Sequence, residues 1–248
     1  MSQAIQNMID KSDFTHNYQL IFDVSSQRPF GFEILFRSYH FNNPETAFHE
    51  AFQSDLLYSL EITSINKAIT QIDSCILETD KSFKIFINIF SSTILHNDLL
   101  PAMESIIANT NITPDKIVFE ITEHDKTVDD ALFIQATERL KKRGFHIAID
   151  DLGKSGSSLK RVIDLNPSYI KLDKFFANGL NQSFAKQTMI QSLMSFCHEQ
   201  DTTLIVEGIE QPDEWYIAKQ IGVTNAQGFL LSRPDTLQRA MESLRIPL

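Results

Sequence analysis

Cysteine is almost absent from this chain, with two in 248 residues, Cys75 and Cys197. Two thiols make no disulfide framework, and both sit in apolar helical contexts, so buried free thiols are expected. Basic residues are outnumbered, 22 Lys and Arg against 32 Asp and Glu, for a formal net charge of −10. A surface that holds a nucleic-acid polymer needs a basic stripe, so that class is excluded. A small anionic ligand is not excluded, because bound metal ions reverse the sign of a local site. Long hydrophobic runs are missing as well. Nothing approaches the roughly 18 apolar residues of a membrane span. The start, MSQAIQNMIDKSDFTHN, lacks a basic head followed by an apolar stretch. A cytoplasmic protein with no direct membrane insertion is therefore expected. Glycine and proline number only eight each, and no linker-like stretch appears. Residues 1–16 read as an N-terminal extension and 17–248 as a single domain.

What the chain does have is a 42% hydrophobic content, ample for one large core, and a repeating theme. From residue 82 onward, short runs rich in Ile, Val and Phe end in a polar residue and give way to a helical stretch. The runs are FKIFIN to Asn88, KIVFE to Glu120, HIAID to Asp150, SYIKLD around Lys171, TLIVE to Glu207, and NAQGFLL around Gln227. Short apolar runs bounded by helices read as strands of a parallel sheet buried on both faces. Residues 128–143 place Leu132, Ala136 and Leu140 on one helical face, with Gly144 as a stop. Residues 184–199 carry Met189, Leu193 and Phe196 at helical spacing, and Pro212 suits the first turn of a helix after Glu207. Near the start, YQLIFDV and PFGFEILFR are joined across residues 25–29, too short for a parallel crossover, so this pair is expected to be antiparallel. A long helical region is expected over residues 46–78. Alternating strands and helices of this number fit an α/β fold, a (β/α)8 barrel of about 250 residues.

Glu33, Asn88, Glu120, Asp150, Glu207 and Gln227 lie at or near the C-terminal ends of these runs, and Lys171 lies inside one. In a β/α barrel those ends converge on one face, where active sites sit. Any one acid after a strand is more often a helix cap. Several acids in phase with the strand repeat would repel one another and raise each other's pKa. Bound multivalent cation resolves that conflict. Oxygen donors of this kind suit Mg²⁺ or Mn²⁺, with Ca²⁺ also fitting, and the number of carboxylates exceeds what one Mg²⁺ takes from protein. Two ions suit in-line hydrolysis of a phosphodiester. Gly153-Lys154-Ser155 lacks the upstream glycine of a phosphate-binding loop, since Ala148 stands there. His124-Asp125 has no further histidine cluster to make a different metal site.

These segments, in this order, resemble the EAL domain of cyclic di-GMP signalling, over residues 18–234. FEILFR carries Glu33, Leu35 and Arg37; FINIF carries Asn88; FEITE carries Glu120 and Glu123; IDDLG carries Asp150 and Asp151; IKLD carries Lys171; VEGIE carries Glu207 and Glu210; AQGFLLSRP carries Gln227. The resemblance implies a modified TIM-like barrel with one antiparallel strand, and hydrolysis of cyclic di-GMP to linear pGpG. It implies one metal on Glu33, Asn88, Glu120 and Asp150, and a second on Asp150, Asp151 and Glu207. It assigns Lys171 to the attacking water or the developing charge. Gln19, Glu33, Leu35, Arg37 and Gln227 would meet the ligand. Glu123 would anchor the loop after Asp151, and Glu210 would help position the site. Magnesium or manganese would support turnover, and calcium would be a non-productive substitute. A homodimer is expected through helices near that loop, together with a sensor or effector protein as partner. Four positions of the loop, Leu152, Lys154, Ser155 and Gly156, depart from the family's Asp-Phe-Gly-Thr-Gly-Tyr-Ser-Ser, and Phe90 replaces a serine. An inactive EAL domain, acting as a cyclic di-GMP receptor or protein-interaction module, is the alternative. The complete ligand set favours the enzyme.

Overall fold

The computed structural model describes residues 2–75, 83–121, 129–154 and 159–244. Helix α1 (Ser2–Lys11) leads into two antiparallel strands, β1 (Phe14–Asp23) and β2 (Arg28–Ser38). Helices α2 (Pro44–Gln53) and α3 (Leu57–Asp73) follow, then β3 (Lys84–Ile89), α4 (Ser91–Ile94) and α5 (Leu99–Ile107). Next come β4 (Ile117–Ile121), α6 (Asp130–Lys142), β5 (His146–Leu152), α7 (Leu159–Leu165), β6 (Tyr169–Leu172) and α8 (Phe184–Glu199). The chain finishes with β7 (Thr203–Val206), α9 (Pro212–Gln220), β8 (Asn225–Ala226) and α10 (Leu237–Ser243).

The strands close a barrel in sequence order. β1 is antiparallel to both neighbours, pairing Phe22 with Ala226 and Asp23 with Asn225 to shut the ring, and every other pair is parallel. The expected barrel with one reversed strand is what forms. Pro212 occupies the first turn of α9, where its missing N–H costs nothing, and Gln211 with Glu214 completes a capping box.

Side chains alternate across a strand, so each strand feeds two cores. Outward residues such as Ile87, Phe119, Ile149 and Val206 pack beneath the helices. Inward residues Ile21, Phe86, Val118, Ala148, Tyr169 and Ile205 form a separate apolar plug inside the ring. This plug is the floor on which the functional residues stand.

Four local expectations change. The helical region over 46–78 is two helices: it starts at Pro44, capped by Asn43, and breaks where Asp55 turns to φ 56°. Residues 76–78 lie outside the described residues. Cys75 follows the end of α3 and is exposed; only Cys197 is buried. On α6 the buried stripe is Phe133, Ala136, Thr137 and Leu140, while Leu132 is exposed. Steps of four residues drift round a helix, and i, i+3, i+4, i+7 is the stripe that stays inward. On α8, Ile190 and Cys197 are buried, whereas Met189 and Phe196, one position round, are exposed. Both pairs have the same spacing, which sets their phase but not which of them meets the barrel.

Candidate functional site

One layer above the plug, polar side chains replace apolar ones. Two positions beyond Phe86, Val118, Ala148, Tyr169 and Ile205 stand Asn88, Glu120, Asp150, Lys171 and Glu207. The two-residue repeat of a strand therefore stacks each of them over the barrel interior. Glu33 joins them from β2, where it pairs in register with Gln19 of the reversed β1. Gln227 follows directly after β8.

Lys171 is the hub. Its ammonium lies 2.8 Å from Glu120, 2.9 Å from Glu207, 3.1 Å from Glu33 and 3.3 Å from Asp150. It is 1% exposed, so a snorkelling lysine is ruled out. The other Glu33 contacts are amides: Gln227 Nε2 donates to Oε2 at 3.0 Å and Asn88 Nδ2 to Oε1 at 2.9 Å.

Asp151 enters the same mouth by a different device. Ile149 pairs with Ile170 and Leu152 with Leu172, so β5 carries one residue more than β6 across this step. Asp151 takes φ 55° within that bulge. Without the bulge, consecutive Asp150 and Asp151 would point to opposite faces of the sheet; bulges re-aim side chains in this way beside active sites. One oxygen each of Asp150, Asp151 and Glu207 then lies within 4.8 Å of the others.

One ammonium does not balance the buried Glu33, Glu120 and Asp150 together with the partly buried Glu207. Burial raises Glu120 well above the usual carboxylate range, and the charges of Glu33 and Asp150 push the same way. Burial likewise raises Glu207 to about 8, against the pull of Lys171. Asp150 is also raised, chiefly by burial. Burial alone would raise Glu33 too, but Lys171, Gln227 and Asn88 together hold it low. Burial opposes the charge of Lys171, yet the surrounding carboxylates hold its ammonium well above its ordinary range.

The donor set fits a divalent ion. Glu120 Oε1 is in ion-pair contact with Lys171, but its Oε2 and the Gln227 Oε1 are buried with no hydrogen-bond partner among the described residues. Buried acceptors left in that state are costly unless a cation or water meets them. Asn88 spends its amide N–H on Glu33 and keeps its Oδ1 as a donor to metal. Oxygen-only ligands of this sort suit Mg²⁺, Mn²⁺ or Ca²⁺.

Two clefts meet at Glu33, Asp151 and Lys154. The larger, about 860 Å³, runs along Leu35 and Arg37 toward Phe48 and Phe90 and is mostly apolar. The smaller, about 290 Å³, holds Gln19, Glu207, Glu210, Gln227 and Phe229. Gln19 donates to the Ser232 carbonyl at 2.9 Å, and Arg37 to the Phe36 carbonyl at 2.8 Å. Glu210 is exposed at the rim. Glu123 lies outside the described residues, as do Ser155 and Gly156 of the altered loop. Lys154, Asp173 and Phe229 also line the mouth, and strand-end reasoning misses them because they sit in loops. The turn after Asp151 was the available signal for Lys154.

An EAL domain family profile matches residues 2–234. The cyclic di-GMP phosphodiesterase RocR of Pseudomonas aeruginosa is 26% identical over 242 residues, covering 94% of this chain and 60% of the relative. The chain thus spans less than two thirds of that relative's length. Among solved structures, a calcium and cy-diGMP complex of Klebsiella pneumoniae BlrP1 superposes with a TM-score of 0.81 at 25% identity, covering 90% of this chain and 56% of that one. The EAL enzyme Bd1971 in its cAMP and cyclic-di-GMP bound form gives a TM-score of 0.86 at 23% identity, covering 98% and 68%. Barrel, strand-end acids and family profile agree, and the chain belongs to the EAL domain family.

Proposed function

We propose that this chain hydrolyses cyclic di-GMP to linear pGpG with the help of two divalent ions, Mg²⁺ or Mn²⁺. The observation that carries the reading is the convergence of Glu33, Glu120, Asp150 and Glu207 on one ammonium, with Asp151 turned into the same mouth. Glu33, Asn88, Glu120 and Asp150 would hold one ion, and Asp150, Asp151 and Glu207 the other. When bound, such ions polarise a phosphoryl oxygen and supply hydroxide near neutral pH.

The chain's own residues do the rest. Asn88 and Gln227 fix the Glu33 carboxylate by donating to both of its oxygens. Lys171 would offset charge on the phosphoryl group, and the carboxylates around it favour its charged form. Arg37 lines the larger cleft, where its planar guanidinium suits a phosphate. Leu35 offers that cleft an apolar contact, while Gln19 and Gln227 border the smaller one. Glu210 is given a positioning role at the rim and Glu123 an anchoring role for the loop. Two clefts meeting at the acids suit a ligand with two bases on either side of its phosphates. The naming of RocR as a cyclic di-GMP phosphodiesterase supports the substrate. The BlrP1 complexes that hold cy-diGMP with calcium or with manganese support a divalent ion beside the ligand.

Incubating the purified chain with cyclic di-GMP and Mg²⁺ or Mn²⁺, and separating the products, tests this. Appearance of pGpG is expected, and none with Ca²⁺ or after chelation. Binding without turnover would leave the receptor reading. A specific observation favours that second reading: Lys154 holds Asp151 at 2.7 Å. A cytoplasmic homodimer that answers to a sensor or effector protein completes the proposal. The exposed Leu159 and Ile163 on α7, Phe175 before α8 and Phe184 at the start of α8 support the dimer.

A further inference from the structure

The turn that closes β5 does more than expose Asp151. The Lys154 amide donates to the Asp151 carbonyl at 3.0 Å. Gly153, at φ 98°, lies against Phe176, whose ring would meet an added Cβ at 2.3 Å. Held this way, the turn folds Lys154 back on its own start, and Nζ donates to Asp151 Oδ2 at 2.7 Å. Asp151 is also one of the three acids whose oxygens come within 4.8 Å of one another. Lys154 and a divalent ion therefore ask for the same carboxylate. A bound dication would also repel an ammonium left beside it.

We propose that Lys154 is a resident counter-ion of the Asp151 position and has to leave before a divalent ion can bind there, so that it sets the metal affinity of that position. This rests on the metal-binding reading of the site given above. It makes Lys154 a positioning residue acting through Asp151. The pair is partly solvated, with side chains 50% and 29% exposed. Exposed ion pairs are weak and screened by salt, which limits the effect to about fivefold in affinity. Lysine at this place is a departure from the family's threonine, so members that keep the threonine would lack the competition. Lys154 lines both clefts, beside Asp151 and Glu33.

The test is calorimetric titration of Mn²⁺ into the metal-stripped full chain, without nucleotide, for the wild type, Lys154→Met, Lys154→Arg, Asp151→Asn and the Asp151→Asn/Lys154→Met double variant. Lys154→Met is expected to tighten Mn²⁺ about threefold to fivefold, and Lys154→Arg, which keeps the charge, to stay near the wild type. In the Asp151→Asn background the gain should vanish, and high salt should shrink it. Unchanged or weaker binding in Lys154→Met overturns the inference, as does a gain that persists without Asp151, which would be a general charge effect. If Asp151→Asn weakens Mn²⁺ binding but Lys154→Met does nothing, the metal site stands and only the competition fails. If the wild type binds no Mn²⁺, both fail.

Discussion

Replacing Lys171 by Met is the most direct probe of how this barrel holds its acids together. Methionine keeps the volume of the stem and removes the charge. In the metal-free protein, that takes away the cation within 2.8–3.3 Å of four carboxylates on β2, β4, β5 and the end of β7. Breaking a buried ion pair by removing one partner costs about 3–5 kcal/mol. For a chain of this length each kcal/mol moves Tm by about 2–4 °C, so a fall of roughly 6–20 °C is expected in EDTA. The loss should shrink as pH falls from 8 to 5, because protonated carboxylates no longer need the ammonium. Saturating Mn²⁺ should recover more stability in the variant than in the wild type, since ligand binding stabilises by mass action and the variant's cluster is more negative. Thermal melts followed by circular dichroism, at several pH values with EDTA or Mn²⁺, read all three effects. A metal-free Tm within about 2 °C of the wild type would refute the reasoning, because the carboxylates would then hold their places without the lysine.

Other outcomes follow from the same geometry. Asp150→Asn should abolish pGpG formation and weaken Mn²⁺ binding, read by product chromatography and calorimetry. Lys171→Ala should lower kcat by about 10²–10³ with little change in KM, whereas Arg37→Ala should chiefly raise KM; reversed effects in steady-state kinetics would exchange the two roles. His16 is buried against Ser64, and burial, with Lys67 nearby, lowers its pKa from 6.5 to about 4. The stability it contributes is present above pH 6.5 and lost as pH falls toward 4. At 1.36 kcal/mol per tenfold of proton affinity, that is roughly 3 kcal/mol. Denaturant melts of His16→Phe should show a flatter acid limb between those values. Light scattering at tens of micromolar, with metal and ligand present, should report a dimer, and a monomer would count against the proposed assembly.

Much of this protein is legible in its sequence because strand physics is local. Apolar runs such as KIVFE and HIAID announce buried strands, and the polar residue ending each run announces the mouth of a barrel. Asn88, Glu120, Asp150 and Glu207 each end such a run, so the sequence alone names them as candidates for that mouth. The pair at β1 and β2 is readable as antiparallel from the shortness of its turn. Helix spacing, by contrast, left the buried stripe of α6 and α8 undecided: Leu132 and Met189 satisfy the periodicity and still face outward. Which stripe turns inward depends on where the barrel wall lies, and no single helix contains that information. The same holds for the site. Sequence places Lys171 inside a strand, but only closure of the ring by β1 and β8 brings its ammonium against four acids from separate strands. The bulge at Asp151 requires β6 alongside to show that β5 has one residue too many. The turn that brings Lys154 to Asp151 has Gly153 packed close against Phe176, a residue from beyond β6 that the turn's own sequence does not name. Local propensity chose the elements and the donors, and long-range register decided which charges meet, because Coulomb energies between buried groups depend on distances that only the closed barrel sets.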